Sequence, residues 1–342
     1  MAEDWLRRHA RNDPWFLHLN FWDVHVPYRT PESYGNPFAG QPISPWLTEE
    51  ILQRHRESGG LRSARHLLPA REPSPRYPES IGSMADVRRL IDGYDTSIRY
   101  VDDCIGRLVA GLEALGIREN TAILIGSDHG ECLGEMGAYG AHQLANEQTV
   151  HVPMILSWPG LPSGREDTAL HYSLDVAATT LDLLGITPRA SGDGRSFAEG
   201  LRQGKSIGRE FLVLSHLAQG VQRSVRFQFG DHSYLATRTF HDAFHRLPEW
   251  MLFDLDQDPR GLANLVLSHP TVLDRAKELL AEWLTKALEQ SEEGDPLETV
   301  LQEGTEAEAQ RESHFRRLET AGQKELAAYF RRRSRGHEPE AA

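Results

Sequence analysis

Two short apolar runs that stop abruptly at polar, chemistry-bearing residues limit what this chain can fold into more than any other feature. The first is Trp15-Phe16-Leu17-His18-Leu19-Asn20-Phe21-Trp22, followed at once by Asp23-Val24-His25-Val26-Pro27-Tyr28. The second is Ala122-Ile123-Leu124-Ile125, which leads into Ser127-Asp128-His129-Gly130-Glu131. Near-continuous apolar runs suit strands covered on both faces, as in a mostly parallel sheet. In open α/β sheets the carboxyl ends of such strands are where ligands bind.

The stretch between the two runs supports that class. Val87, Leu90, Ile91, Tyr94, Ile98, Val101, Ile105, Leu108, Leu112 and Leu115 recur in steps of three and four, the mark of a long amphipathic helix, and Gly116 supplies its stop. A third strand is expected at Pro153–Trp158, and a helix from about Leu174 to Leu184, ended by Gly185. Strands alternating with helices of these lengths indicate α/β. Residues 30–82, rich in Pro, Gly, Ser and Arg, read as a long excursion with short helices. After Arg195, Phe211–Leu214, Val225–Gln228, Ser233–Thr237 and Trp250–Asp254 are short strands between turns, which indicates a small antiparallel sheet. We therefore divide the chain into an α/β domain at 1–195, a small antiparallel-sheet subdomain at 196–285, and a charged helical or disordered tail at 286–342.

Composition narrows the function. The 342 residues suit one large α/β domain with an appendage, or two domains. A net charge of -13, from 37 Lys+Arg against 50 Asp+Glu, argues against a nucleic-acid surface, which needs a basic stripe to neutralise phosphates. It leaves an anionic small molecule open, because one metal ion reverses the local potential. Cys104 and Cys132 form no metal or redox motif, and Cys104 falls on the apolar side of the long helix, where a buried thiol is expected. No apolar stretch reaches bilayer length, and the opening Met1–His9 is amphipathic and mixed in charge, unlike a signal peptide. No membrane partner is expected, and the chain as it stands reads as cytoplasmic.

Several residues could carry chemistry. Asp128 and His129, side by side where a buried strand gives way to a loop, could grip a divalent cation from two directions; the bland alternative is a helix cap beside an exposed histidine. The alternation in Asp23-Val24-His25 puts the acid and the imidazole on one side, where His25 could protonate a leaving group or satisfy a turn. His142, in Gly140-Ala141-His142-Gln143, lies in a loop between strands. His151 precedes an apolar strand and reads as structural. His241 and His245 could line a pocket from the small subdomain, though a spacing of four also fits two surface histidines on a helical turn.

Taken jointly, these pieces resemble the sulfatases of the alkaline phosphatase superfamily. The resemblance rests on Phe16–Tyr28, on the helix from Tyr94-Asp95 to Gly116 with Tyr100-Val101-Asp102-Asp103 inside it, on Ser127–Glu131 with Leu133-Gly134-Glu135, and on His151-Val152-Pro153-Met154. Leu252–Pro259 and Asn264-Leu265 look like the family's carboxyl-terminal strand and turn, so the match runs from about residue 13 to 285. It implies an alkaline-phosphatase-like mixed or parallel sheet with flanking helices, lacking its amino-terminal strands. It implies one divalent metal, calcium first, with manganese or magnesium as alternatives, on Asp128 and His129. His25 matches the histidine that contacts the sulfate and helps the leaving oxygen depart. His142 falls where many relatives place a lysine, which makes the charge there pH-dependent. The implied activity is cleavage of a sulfate monoester on a small molecule or glycan; a phosphate or phosphonate ester hydrolase and a non-catalytic remnant are the alternatives. The family's nucleophile is a formylglycine made from Cys or Ser in a C-x-[P/A]-x-R segment. Neither Cys104, followed by Ile-Gly-Arg, nor Cys132, followed by Leu-Gly-Glu, fits it. The expectation is therefore a fragment, a misplaced start or one part of a split gene, inactive or nearly so by itself.

Overall fold

The computed structural model describes residues 1–11, 14–67, 74–187, 192–289, 291, 294–320 and 322–333. Along them come the helices α1 (Ala2–His9), α2 (Glu49–Glu57) and α3 (Met84–Ala114). The strands β1 (Ile123–Gly126), β2 (Cys132–Leu133) and β3 (Tyr139–Ala141) follow, then the single turn α4 (Glu147–Val150), β4 (Met154–Ser157), α5 (Ser173–Leu183) and α6 (Ala198–Gln203). The strands β5 (Phe211–His216), β6 (Val221–Phe229), β7 (His232–His241) and β8 (Trp250–Asp254) precede α7 (Pro270–Glu289) and α8 (Pro296–Glu303). Three short helices close the chain, α9 (Glu306–Ala309), α10 (Arg311–Thr320) and α11 (Lys324–Arg333). The fold is α/β with a small antiparallel sheet, as the alternation of patterns predicts. These elements belong to two compact units, one formed by Met1–Ala122, Glu131–Ala141 and His314–Ala342, the other by Ile123–Gly130 and His142–Ser313.

In the first unit, α3 begins where the Ser83 hydroxyl accepts the Asp86 N–H at 3.4 Å, and Gly116 follows its end at φ 70°. Its early turns bury Val87 and Leu90 among Val26, Tyr28, Leu52, Tyr77, Ile81 and Tyr139. A Cβ on Gly93 would sit 2.1 Å from the Arg76 carbonyl oxygen, so only glycine lets the Arg76 segment lie this close to the helix. The described part of the excursion at 30–82 contains the short helix α2, and its Leu47, Leu52, Leu67, Tyr77 and Ile81 supply much of this core. Later turns of α3 are more open. Ile98 is 44% exposed, and Cys104 is half-buried beside the Arg107 guanidinium rather than buried as its helical position predicts.

The Trp15–Trp22 run departs furthest from expectation, because it forms no strand. Phe16 is 87% exposed and Trp22 59% exposed. A strand exists only by pairing, and among the described residues no neighbour offers this segment a ladder.

In the second unit, β1 and β4 form where Ile123–Ile125 and Met154–Leu156 predict strands. They pair with each other antiparallel, Leu124 opposite Leu156 and Ile125 opposite Ile155, where the apolar pattern suggested a mostly parallel sheet. A continuous apolar run specifies two covered faces and says nothing of the partner's direction. The small sheet is an antiparallel meander in the order β5-β6-β7-β8. Its Val213, Val225, Phe227, Ala236 and Leu252 pack against Val272, Leu273, Ala276, Leu279 and Leu280 of α7. At the start of α5, the buried Asp175 carboxylate accepts the Tyr172 N–H at 2.9 Å, the Arg195 N–H at 2.7 Å and the Arg209 Nε–H at 2.9 Å. Among the described residues no helix is long and apolar enough to cross a membrane.

Candidate functional site

The loop that leaves β1 in the second unit is built by its own short-range bonds. The Ser127 hydroxyl donates to the His129 carbonyl at 2.7 Å, and the His129 N–H donates to Asp128 Oδ1 at 3.1 Å. Gly130 then passes so close to α4 that a Cβ would lie 2.1 Å from the Gln148 carbonyl oxygen, which is why the loop needs glycine there. Its N–H donates to the Thr149 carbonyl at 2.9 Å.

These bonds orient the two residues of interest. His129 Nδ1 lies 2.9 Å from the Gly130 carbonyl, so that nitrogen carries the proton and Nε2 keeps its lone pair. The Asp128 side chain is 89% exposed, with Oδ2 3.8 Å from His129 Nε2. His142 stacks on His129, ring centroids 3.8 Å apart and planes 25° from parallel. The structure thus brings Asp128, His129 and His142 together. A carboxylate oxygen and an imidazole lone pair offered side by side fit one divalent cation, and the stacked His142 adds a group that is cationic when protonated.

Of His241 and His245, the second contacts Gln143, the residue after His142. His241 ends β7, half-buried, and its Nδ1 accepts the Ala243 N–H at 3.1 Å. His245 is 7% exposed, and its Nε2 lies 2.9 Å from the Gln143 amide nitrogen. No helical turn joins them: Ala243, Phe244 and Arg246 all have positive φ, at 50°, 67° and 58°. His151, read as structural, is 74% exposed and bonds Glu147 at 2.9 Å, which raises its pKa.

In the first unit, His25 occupies a turn closed by the Tyr28 N–H on the His25 carbonyl at 3.0 Å. Its ring stacks on Trp22 at 4.7 Å, and its Nδ1 lies 2.8 Å from the Val26 carbonyl. As at His129, a backbone carbonyl accepts a hydrogen bond from Nδ1 and so fixes the tautomer. Glu131, also in this unit, is a residue that sequence reading passed over. Burial pushes its carboxyl up to about 8 against the pull of Arg62; burial first, and the Glu131 charge second, raise the phenols of Tyr28 and Tyr94. The only signal was its place at the end of the Ser127–Glu131 run.

Comparison with known proteins adds the following. The family model described as Sulfatase matches residues 1–186, and one described as N-sulphoglucosamine sulphohydrolase, C-terminal, matches residues 134–292. An arylsulfatase of Clostridium perfringens is 26% identical over 298 residues, which is 85% of this chain and 57% of that protein. A multifunctional alkaline phosphatase superfamily protein of Trinickia caryophylli is 28% identical over 74% of this chain and 51% of its own length. The chain thus spans about half the length of the curated relatives it matches. Among solved structures, a phosphonate monoester hydrolase from Silicibacter pomeroyi superposes with a TM-score of 0.61 at 21% identity, over 83% of this chain and 59% of that one. At that identity the likeness shows a shared fold.

Proposed function

The chain belongs to the sulfatase family, and from that membership we propose that it carries the metal and leaving-group side of an active site that hydrolyses sulfate monoesters. The observation that carries the reading is the Asp128–His129–His142 group at the exit of β1. Its acidic oxygen and imidazole lone pair are offered together, and a second imidazole stacks 3.8 Å away. Asp128 and His129 would hold one divalent cation, calcium first and manganese or magnesium next, which lends positive charge to the sulfate oxygens as the ester bond breaks.

The chain's own residues do the rest. Gly130 O fixes the tautomer and angle of His129. His142, stacked on His129, would donate a hydrogen bond to a sulfate oxygen. The resemblance gives His25 the leaving-group role of a proton donor to an alcohol oxygen, and within its own unit Trp22 and the Val26 carbonyl hold its ring. His245 positions the Gln143 side chain, next to His142 in the chain. The formylglycine nucleophile implied by the resemblance is not encoded in these 342 residues. We therefore expect no turnover until a segment bearing it is supplied. The substrate is a sulfated small molecule or glycan.

The test begins by reading the DNA upstream of Met1 for an in-frame C-x-[P/A]-x-R segment. The product that includes it should hydrolyse an aryl sulfate faster than the matching phosphate or phosphonate monoester. His129→Ala or His142→Ala should lower that rate by at least about 100-fold, the usual loss when a charge-stabilising donor is removed. Faster turnover of the phosphate or phosphonate ester would move the assignment to that reaction. Absence of the segment, with no cation bound at Asp128 and His129, would leave a non-catalytic remnant.

A further inference from the structure

One imidazole and two carboxylates converge at the end of the small sheet. His232 opens β7 directly after the turn at Gly230 and Asp231, Asp254 closes β8, and Asp256 follows in the turn beyond it. The register Tyr234 opposite Asp254 carries His232 just past the ladder, alongside that turn. One ligand atom from each of the three lies within 4.8 Å of the other two.

Their orientation is unlike that of a simple ion pair. His232 Nδ1 is 2.8 Å from Asp254 Oδ2, yet that nitrogen is sealed from solvent and makes no hydrogen bond. The two atoms lie side by side, not donor to acceptor. Ligands sharing a metal lie this way, since bonds of about 2.0–2.2 Å put neighbouring ligand atoms about 3 Å apart. The carboxylates are already aimed. Asp254, 5% exposed, accepts the N–H groups of Asp256 at 3.1 Å and Gln257 at 3.2 Å on Oδ1, leaving Oδ2 for a cation. Asp256 accepts the Ser233 N–H at 2.7 Å on Oδ2, leaving Oδ1. Exposed Asp256 and half-exposed His232 leave room for water to complete the coordination.

We propose that His232, Asp254 and Asp256 bind a divalent transition-metal ion, a site additional to Asp128 and His129. One nitrogen and two oxygens suit zinc or manganese better than calcium or magnesium, which favour all-oxygen shells. The ion ties the tip of the β6–β7 hairpin to the exit of β8, so its effect is on the stability of the small sheet.

Calorimetric titration of the purified chain with Zn2+, and separately with Mn2+, tests this, with thermal unfolding followed in parallel. The double variant Asp128→Asn/His129→Ala should still bind one ion and still melt higher with metal than without. His232→Ala should melt like the parent without metal, bind that ion at least about 30-fold more weakly, and lose the metal-dependent rise. Asp256→Asn, on the exposed turn, should do the same, and it serves where His232→Ala disturbs folding. If the double variant binds nothing, or if both His232→Ala and Asp256→Asn bind as the parent does, His232 and Asp254 are an ion pair only and the proposal falls.

Discussion

His66 is kept uncharged well below the usual histidine range. Burial disfavours its cation, the guanidinium groups of Arg317 and Arg65 repel it, and together they lower its pKa from 6.5 to about 4. In the unfolded chain the same imidazole takes a proton near 6.5, so between 6.5 and 4 the unfolded state binds more protons. The stability tied to its neutrality is therefore complete above pH 6.5 and is lost as pH falls toward 4, by up to about 3 kcal/mol. Urea unfolding of the parent and of His66→Gln at pH 7 and pH 4.5 should show the gap between them shift by an amount of that order in favour of the variant at the lower pH. An unchanged gap would mean that His66 titrates normally. Nothing near Arg65-His66-Leu67 announces this, because the burying partners include His314 and Arg317, far along the chain. The local geometry of Asp128 and His129, by contrast, is set by their neighbours in sequence, Ser127 and Gly130. A helical turn is one reading of the spacing between His241 and His245; positive φ at Ala243 and Phe244 replaces it, and no side-chain pattern there requires that.

At the scale of elements, one buried pair fastens the small sheet to the helices after it. Arg223 of β6 donates to both oxygens of Asp295, at 2.7 and 2.8 Å, and its guanidinium lies 5.1 Å from the Trp283 ring of α7. Asp295 also caps α8 by accepting the Leu297 N–H at 3.0 Å. Removing Arg223 would leave that carboxylate buried and unpaired, so Arg223→Ala should cost about 3–5 kcal/mol in denaturant unfolding. A loss under about 1 kcal/mol, typical of exposed pairs, would contradict this. The contrast between elements follows the range of their signals. A long helix is written in its own period and caps, as α3 is from Ser83 to Gly116, and the β5–β8 meander is written in short runs and turns. A strand with a distant or missing partner is not, and Trp15–Trp22 has strand composition without strand structure for that reason.

For the molecule as a whole, β1 and β4 pose the sharpest mismatch between composition and surroundings. Residues directly opposite on an antiparallel pair share a face, so Leu124 with Leu156 lines one side and Ile125 with Ile155 the other. Strands apolar on both sides belong in sheets covered on both sides, yet Leu124 is 47% and Ile155 59% exposed. Met154, Ile98 and Leu174 are also more than a third exposed, so apolar surface is open on several elements. Among the described residues the two-stranded ladder leaves each strand with one unpaired edge, which invites pairing with another chain. The chain in isolation should therefore bind a dye such as 8-anilinonaphthalene-1-sulfonate and self-associate as its concentration rises. Replacing Leu124 and Ile155 together with lysine places a charge on each face, and should remove roughly half or more of the dye signal while shifting sedimentation toward the monomer. The lysines cost little stability if those side chains truly face water. Should the parent bind no dye, or should the double variant unfold, these faces are covered in solution, and the two strands are already part of a larger sheet.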